Sequence, residues 1–432
     1  MSLLTSALKG IITPEMEQVA SREGVSPEFI RQGVAEGTIV IPCNINHKNI
    51  VPVGIGKGLR TKVSASIGLY GSEATISGEV EKIKTALEVG TDALMDLSVS
   101  GNIDAMRQET LNSATVPVGT LPVYQAMAEA GEKYGSSVKM DVEEMFEVIE
   151  RHAAEGVDFL ALHCGTTMDI VKRAKSEGRI DPLVSYGGSH LIGWMIANQC
   201  ENPLYEQYDR VLEIAKKYNV TLSLADGMRP GCLADSLDGA QVQELVVLGE
   251  LVRRAREAGV QIMIKGPGHM PLEHVKATVT LQKSLCKGAP YFVFGPLLTD
   301  IAAGYDHINA AIGGALSAWA GAEFLCYVTP AEHIGLPGVN EVREGVIAAR
   351  IAAHAGDLAK GLKSAHQWDL EMSIARKKLD WKRQLELAID PQRAAEIRKT
   401  RNNGESSACA MCGKYCAMEI VSKYLKTPKH SC

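Results

Sequence analysis

The sequence predicts an α/β protein, a (β/α)8 barrel over residues 59–335, flanked by a small N-terminal region and a C-terminal helical segment with a cysteine-bearing arm. Two observations carry that reading. From about residue 60 to 330, short apolar, β-branched runs alternate with amphipathic helical stretches, the pattern of strands buried on both faces of a parallel sheet. The span, roughly 270 residues, suits a closed barrel of eight units better than an open doubly wound sheet.

The candidate strands lie at 62–67, 93–97, 116–120, 159–163, 183–185, 221–224, 261–264, 291–294 and 324–328. They number one more than a barrel needs, so one is expected outside it. Helical stretches such as 80–89, 142–154, 204–218 and 240–258 separate them. Polar or glycine-rich groups follow nearly every strand: Ser66, Met95-Asp96, Tyr124, His163, Ser185-Tyr186-Gly187-Gly188, Asp226-Gly227-Met228-Arg229, Lys265 to His269, Gly295-Pro296 and Glu332-His333. In a barrel these ends converge on one mouth, where active sites lie, so the chain is expected to be an enzyme. Gly54-Ile55-Gly56-Lys57-Gly58 has the look of a phosphate loop, but it precedes a strand instead of linking strand to helix and fails as one.

Residues 1–58 form the N-terminal region. Residues 336–390 turn helical, with helices at 339–356 and 371–387 carrying charges at (i, i+3/i+4) spacing. Residues 391–432 are the arm, entered through a polar, flexible linker at 390–408. In that arm Cys409, Cys412 and Cys416 crowd into eight residues. Soft thiolates at that spacing can take three corners of an iron–sulfur cube and leave one iron open. They could also form a zinc knuckle with His430, or a redox pair with a bystander. The spacing alone leaves these open.

Composition removes other classes. The chain has 432 residues, 46% apolar and 22% charged, with a net charge of −6 and no basic block, so nucleic acid is not its expected partner. No secretory signal and no membrane span are expected; the most apolar stretch, 310–328, contains Glu323 and several glycines. Cys43, Cys164, Cys200, Cys232, Cys286 and Cys326 are scattered singly, as reduced cysteines are in a cytoplasmic protein.

His269 and His333 follow two strands and project toward the mouth, where they could share a divalent metal, Zn²⁺ or Fe²⁺, with positions left open. Either alone would more often be structural. Asp226 and Arg229 suit hydrogen bonding to a polar, phosphorylated small molecule, although a salt-bridged loop pair fits them equally well.

Several runs go further: GIITPEM (10–16), NINH (44–47), MDLS (95–98), LPVYQA (121–126), DGMRPG (226–231), GPGH (266–269), TDIAAGYDHINAAIGGA (299–315), LCYVTPAEHIGLP (325–337), IAAHAGDLAKG (351–361) and CAMCGKYC (409–416). Together they resemble the phosphomethylpyrimidine synthase family, the radical lyases of thiamin biosynthesis, over essentially the whole chain. The resemblance implies a homodimer in which the cluster arm reaches the partner's active site. It implies 5-aminoimidazole ribotide as substrate. It also implies a [4Fe-4S] cluster fed by an electron donor, and S-adenosylmethionine as source of a 5′-deoxyadenosyl radical. It puts the cluster on Cys409, Cys412 and Cys416, at a spacing one residue shorter than the family's usual one, and the divalent metal on His269 and His333. It puts substrate contacts on Met95, Tyr124, His163, Ser185, Gly187, Asp226, Gly227 and Arg229, with Met228 in the same turn. It gives no residue a proton- or radical-transfer role.

The departures concentrate around the substrate. Ser66 stands where the family has asparagine, Tyr186 where it has arginine, Lys265 where it has glutamate and Phe292 where it has tyrosine; Ala225 replaces a glycine. Radical initiation kept, with its steering altered, resembles the paralogous 5-hydroxybenzimidazole synthases, which use the same ribotide for the lower-ligand base of cobamides. That product is the leading expectation, with hydroxymethylpyrimidine phosphate as the alternative.

Overall fold

The computed structural model describes residues 2–401, 411 and 415–424. Among the described residues ten strands are formed: β1 (Ile39–Val40), β2 (Ile55–Gly56), β3 (Lys62–Ile67), β4 (Ala93–Asp96), β5 (Val118–Thr120), β6 (Phe159–Leu162), β7 (Thr221–Leu224), β8 (Ile262–Gly266), β9 (Tyr291–Phe294) and β10 (Phe324–Cys326). The first two make a short antiparallel ribbon. The other eight close into a barrel in the order β10-β3-β4-β5-β6-β7-β8-β9, all pairs parallel. This is the expected (β/α)8 TIM barrel. Strands such as Phe159-Leu-Ala-Leu162 are buried along their whole length, because helices cover the outside and side chains fill the inside.

The ninth candidate, 183–185, is not a strand. Pro182 precedes it, and Ser185 instead caps the helix Tyr186–Asn198, its Oγ accepting from the Gly188 N–H at 3.3 Å. Several other strands end earlier than expected, since their last residues already turn into the mouth.

The N-terminal helices Leu3–Leu8, Pro14–Glu23 and Pro27–Glu36 bury a small core of their own around Met16, Val19, Ile30, Val34 and Leu59. The NINH run belongs to the opposite end of the barrel from the mouth. Asp158, just before β6, accepts from the Asn44 N–H at 2.9 Å and the Val118 N–H at 2.8 Å, and pairs with His47 Nδ1 at 2.8 Å. Those residues hold the barrel's floor, where stability is set.

One compact unit runs from Met1 to Lys360, a second from Gly361 to Cys432. The helix Val339–Ala359, expected beyond the barrel, thus falls in the first. Its Asp357 explains why: the buried carboxylate takes the Thr61 N–H at 3.0 Å and Thr61 Oγ1 at 2.6 Å beside β3. In the second unit the single helix expected at 371–387 is two, Lys363–Lys377 and Trp381–Leu387, broken where Leu379 takes a left-handed φ of 54°. The expected linker is mostly the helix Pro391–Arg401, started by proline at its first position and by Asp390 Oδ1 accepting from the Arg393 N–H at 3.0 Å. Among the described residues no helix is long and apolar enough to cross a membrane.

Candidate active site

Register brings the polar strand ends to one level. Ser66 pairs with Met95 across β3 and β4, and Lys265 with Phe292 across β8 and β9. Tyr124 sits in the first turn of Pro122–Tyr134, and its ring meets that of Tyr186 edge-on at 4.8 Å. His163, directly after β6, is buried and shares a hydrogen bond with Ser185 Oγ at 2.9 Å through Nε2, while its Nδ1 has no partner. Burial, with Arg229 and Lys265 nearby, lowers its pKa to about 3, so the ring is neutral.

Gly187 stands between these rings. A Cβ there would lie 2.6 Å from His163 Cε1 and 2.9 Å from Tyr124 Cε1, closer than carbon atoms approach. Gly187→Ala is expected to cost about 1–3 kcal/mol through the forced repacking. Thermal unfolding and ribotide affinity measured together check this, and an unchanged midpoint with unchanged affinity would remove the constraint.

Asp226 is buried with neither carboxylate oxygen hydrogen-bonded; Arg229 Nη1 is 3.9 Å away. Burial lifts its pKa to about 6. An acid raised in the folded state binds its proton more tightly than in the unfolded chain, where it titrates near ~4. Stability from this group is therefore full below ~4, falls as pH rises to about 6 and is constant above. Asp226→Asn should flatten that part of the profile, read as the change in unfolding midpoint between acid and neutral pH. An identical slope in the variant would show that other groups set it.

The turn carrying Asp226 is positioned by a residue with no local sequence signature. Glu244, inside the helix Gly239–Glu257, accepts from the Gly227 N–H at 3.0 Å, the Met228 N–H at 2.8 Å and Thr166 Oγ1 at 2.6 Å. Burial raises its pKa to about 7. Gly227 lies so close to Thr166 Oγ1 that a Cβ would be 2.2 Å from it. The Met228 side chain does not join the mouth; it is fully buried in a satellite cluster with Ile170, Ile192 and Ala240.

The four departing positions occupy the same mouth. Lys265 is 7% exposed, its Nζ 3.9 Å from Met95 Sδ and 5.2 Å from the Phe292 ring centroid. Phe292 stacks on Phe324 at 4.0 Å. Ser66 Oγ is 3.7 Å from the Cys326 thiol, a buried neighbour the sequence does not single out. Tyr186 is half-exposed, between Tyr124 and His190. A cavity at the ends of β3 and β10 is lined by both Ser66 and His333.

His269 and His333 come together, ring centroids 5.1 Å apart. Each Nδ1 faces a carboxylate: His269 to Asp300 Oδ1 at 2.9 Å, His333 to Asp306 Oδ2 at 3.1 Å. A carboxylate accepts, so each Nδ1 carries the proton and each Nε2 lone pair is free to hold a metal, the arrangement by which second carboxylates orient metal-binding histidines. His333 adopts φ 62°, a left-handed conformation costing about 1–2 kcal/mol in a residue with a Cβ. Among the described residues no group of three or more His, Cys, Asp or Glu side chains is arranged to hold an ion. The pair thus offers two donors. Of the three arm cysteines only Cys416 is described, buried at the start of the helix Ala417–Tyr424; Cys409, Cys412 and the alternative ligand His430 lie outside the described residues.

Comparison with known proteins identifies this assembly. The family model described as "Radical SAM ThiC family" matches residues 2–423. The chain is 74% identical over 432 residues, all of both chains, to 5-hydroxybenzimidazole synthase BzaA of Moorella thermoacetica. It is 60% identical to 5-hydroxybenzimidazole synthase BzaA of Eubacterium limosum, covering 99% of this chain and 100% of that one. It is 57% identical, again over the whole of both chains, to phosphomethylpyrimidine synthase of the same Moorella strain. The chain belongs to the radical SAM ThiC family, enzymes whose chemistry depends on a [4Fe-4S] cluster and S-adenosylmethionine.

Proposed function

We propose that this chain is a lyase converting 5-aminoimidazole ribotide to 5-hydroxybenzimidazole, for the lower ligand of anaerobically made cobamides. The observation that carries the proposal is the division among relatives: 74% identity to one synthase of that name in Moorella thermoacetica against 57% to the pyrimidine synthase of the same strain. Equal coverage means that the difference lies in residues, not in domains.

The mouth supports the reading. Arg229 is half-buried there and suits a bidentate grip on the ribotide phosphate. The free oxygens of Asp226 suit the amino hydrogens of the imidazole, and the neutral His163 and the Tyr124 ring wall the site without adding charge. Gly187 and Gly227 let the turns that carry them approach His163, Tyr124 and Thr166 more closely than a Cβ would allow. His269 and His333 hold a divalent metal, Zn²⁺ or Fe²⁺, through Nε2, with Asp300 and Asp306 fixing the rings. Cys409, Cys412 and Cys416 hold the cluster. When bound, the cluster and S-adenosylmethionine supply a carbon radical able to take a hydrogen atom from the ribotide. The enzyme works in the cytoplasm as a homodimer, with an electron donor reducing the cluster. An exposed apolar stripe on the helix Asp306–Ala320, formed by Ile308, Ile312 and Trp319, supports a second copy.

Anaerobic turnover of the reconstituted protein with ribotide, S-adenosylmethionine and dithionite tests this. 5-Hydroxybenzimidazole together with 5′-deoxyadenosine is expected; hydroxymethylpyrimidine phosphate as sole product would make the protein a thiamin enzyme.

A further inference from the structure

We infer that Lys265 is a covalent catalytic residue whose amine condenses with a sugar-derived carbonyl to form an imine in the barrel mouth. This rests on the ribotide reading and deepens it by naming the kind of intermediate that the site takes. Among the described residues two lysines are deeply buried, and they show the contrast. Lys62, on the barrel floor, is ion-paired with Glu23 at 3.0 Å, as buried charge requires. Lys265 has no such partner among the described residues: its Nζ meets only the Met95 thioether and the face of Phe292. Burial without an ion pair disfavours the ammonium form and is the largest cause that lowers its pKa; Arg229 adds to it, while Cys326 and Asp226 oppose it without reversing it.

A second group completes the arrangement. Asp226, at the end of the neighbouring strand β7, is within electrostatic reach of Lys265, nine-tenths buried, with both oxygens unpartnered. A substrate radical on a hydroxyl-bearing ribose carbon breaks the carbon–carbon bond one position away, which leaves an enol on one fragment and the radical on the other, and the enol tautomerises to a carbonyl. The Lys265 nitrogen attacks that carbon while a proton passes from nitrogen to oxygen, giving a carbinolamine. The Asp226 carboxyl protonates the hydroxyl, the C–O bond breaks, and water leaves with the iminium paired to the carboxylate. Loss of a proton from the neighbouring carbon yields an enamine, a carbon nucleophile of the kind needed to close a carbocycle. Hydrolysis later returns the amine, and no oxidant or reductant enters these steps.

The test needs no radical chemistry. The full chain is incubated with ribose 5-phosphate, an aldehyde in its open form, and cyanoborohydride at neutral pH, then mapped by peptide mass spectrometry. A reduced adduct at Lys265, at least about tenfold above exposed lysines that are charged at that pH, is expected, and absent in Lys265→Arg. Adducts confined to exposed lysines in the folded wild type would overturn the inference. In turnover, Lys265→Arg should still make 5′-deoxyadenosine but lose 5-hydroxybenzimidazole. Undiminished product from that variant would sink the covalent role while leaving the ribotide reading intact. No ribotide-dependent 5′-deoxyadenosine from the wild type would instead sink the ribotide reading.

Discussion

Replacing Cys416 by alanine should abolish S-adenosylmethionine cleavage while leaving the barrel folded. A cube held by three thiolates has no spare ligand, so loss of one is expected to drop iron and sulfide well below the about four of each per chain of a cubane. The barrel core is built entirely within Met1–Lys360, whereas Cys416 lies in the unit Gly361–Cys432, so the main unfolding transition should not move. Iron content, the visible absorption of the anaerobic protein and 5′-deoxyadenosine formation read the first effect, and calorimetry reads the second. A brown, active Cys416→Ala enzyme would assign the third ligand elsewhere. A colourless wild type that holds zinc would revive the knuckle.

Lys265→Glu combined with Tyr186→Arg should move the product toward hydroxymethylpyrimidine phosphate. Position 265 lies on the barrel wall beside Met95 and Phe292 and in the field of Asp226. A carboxylate there removes the Lys265 amine and places a second acid near Asp226, which raises at least one of the two pKa values and changes which proton transfers the site supports. Tyr186 abuts Tyr124, so an arginine in its place brings a fixed cation to the substrate's open side. Together the changes should shift the product ratio by ~10-fold or more, the scale on which misplaced polar groups discriminate between substrates. A ratio unchanged by both substitutions would mean that the radical is steered by other residues.

The barrel was legible because its strands are buried on both faces and read as apolar runs; YFVF at Tyr291–Phe294 can hardly be anything else. Residues 183–185 misled because Leu183 and Val184 are apolar, while the capping role of Ser185 appears only once His163 and Gly188 are beside it. The helix Pro391–Arg401 was hidden by its polarity: its charges suggest a linker, but alanine, arginine, lysine and glutamate favour helix without an apolar face. In the site, strand ends named most of the mouth residues. Met228 shares their turn but points into a side core, since neighbouring positions in a turn face opposite ways. Asp300 and Asp306 were within a recognisable run, yet their partners, His269 and His333, are far along the chain and meet them only through the fold. Glu244 shows the limit most clearly: a carboxylate in mid-helix becomes a scaffold for Asp226-Gly227-Met228 by long-range packing alone.

Turnover with ribotide carrying carbon-13 throughout its ribose tests the central claim most directly. In the proposed reaction the imidazole ring supplies the two carbons at the ring fusion, so the other four carbons of the fused six-membered ring can come only from the sugar. Mass spectrometry should find 5-hydroxybenzimidazole with label confined to its carbocycle. Label recovered only in hydroxymethylpyrimidine phosphate, with no benzimidazole formed, would contradict the proposed reaction.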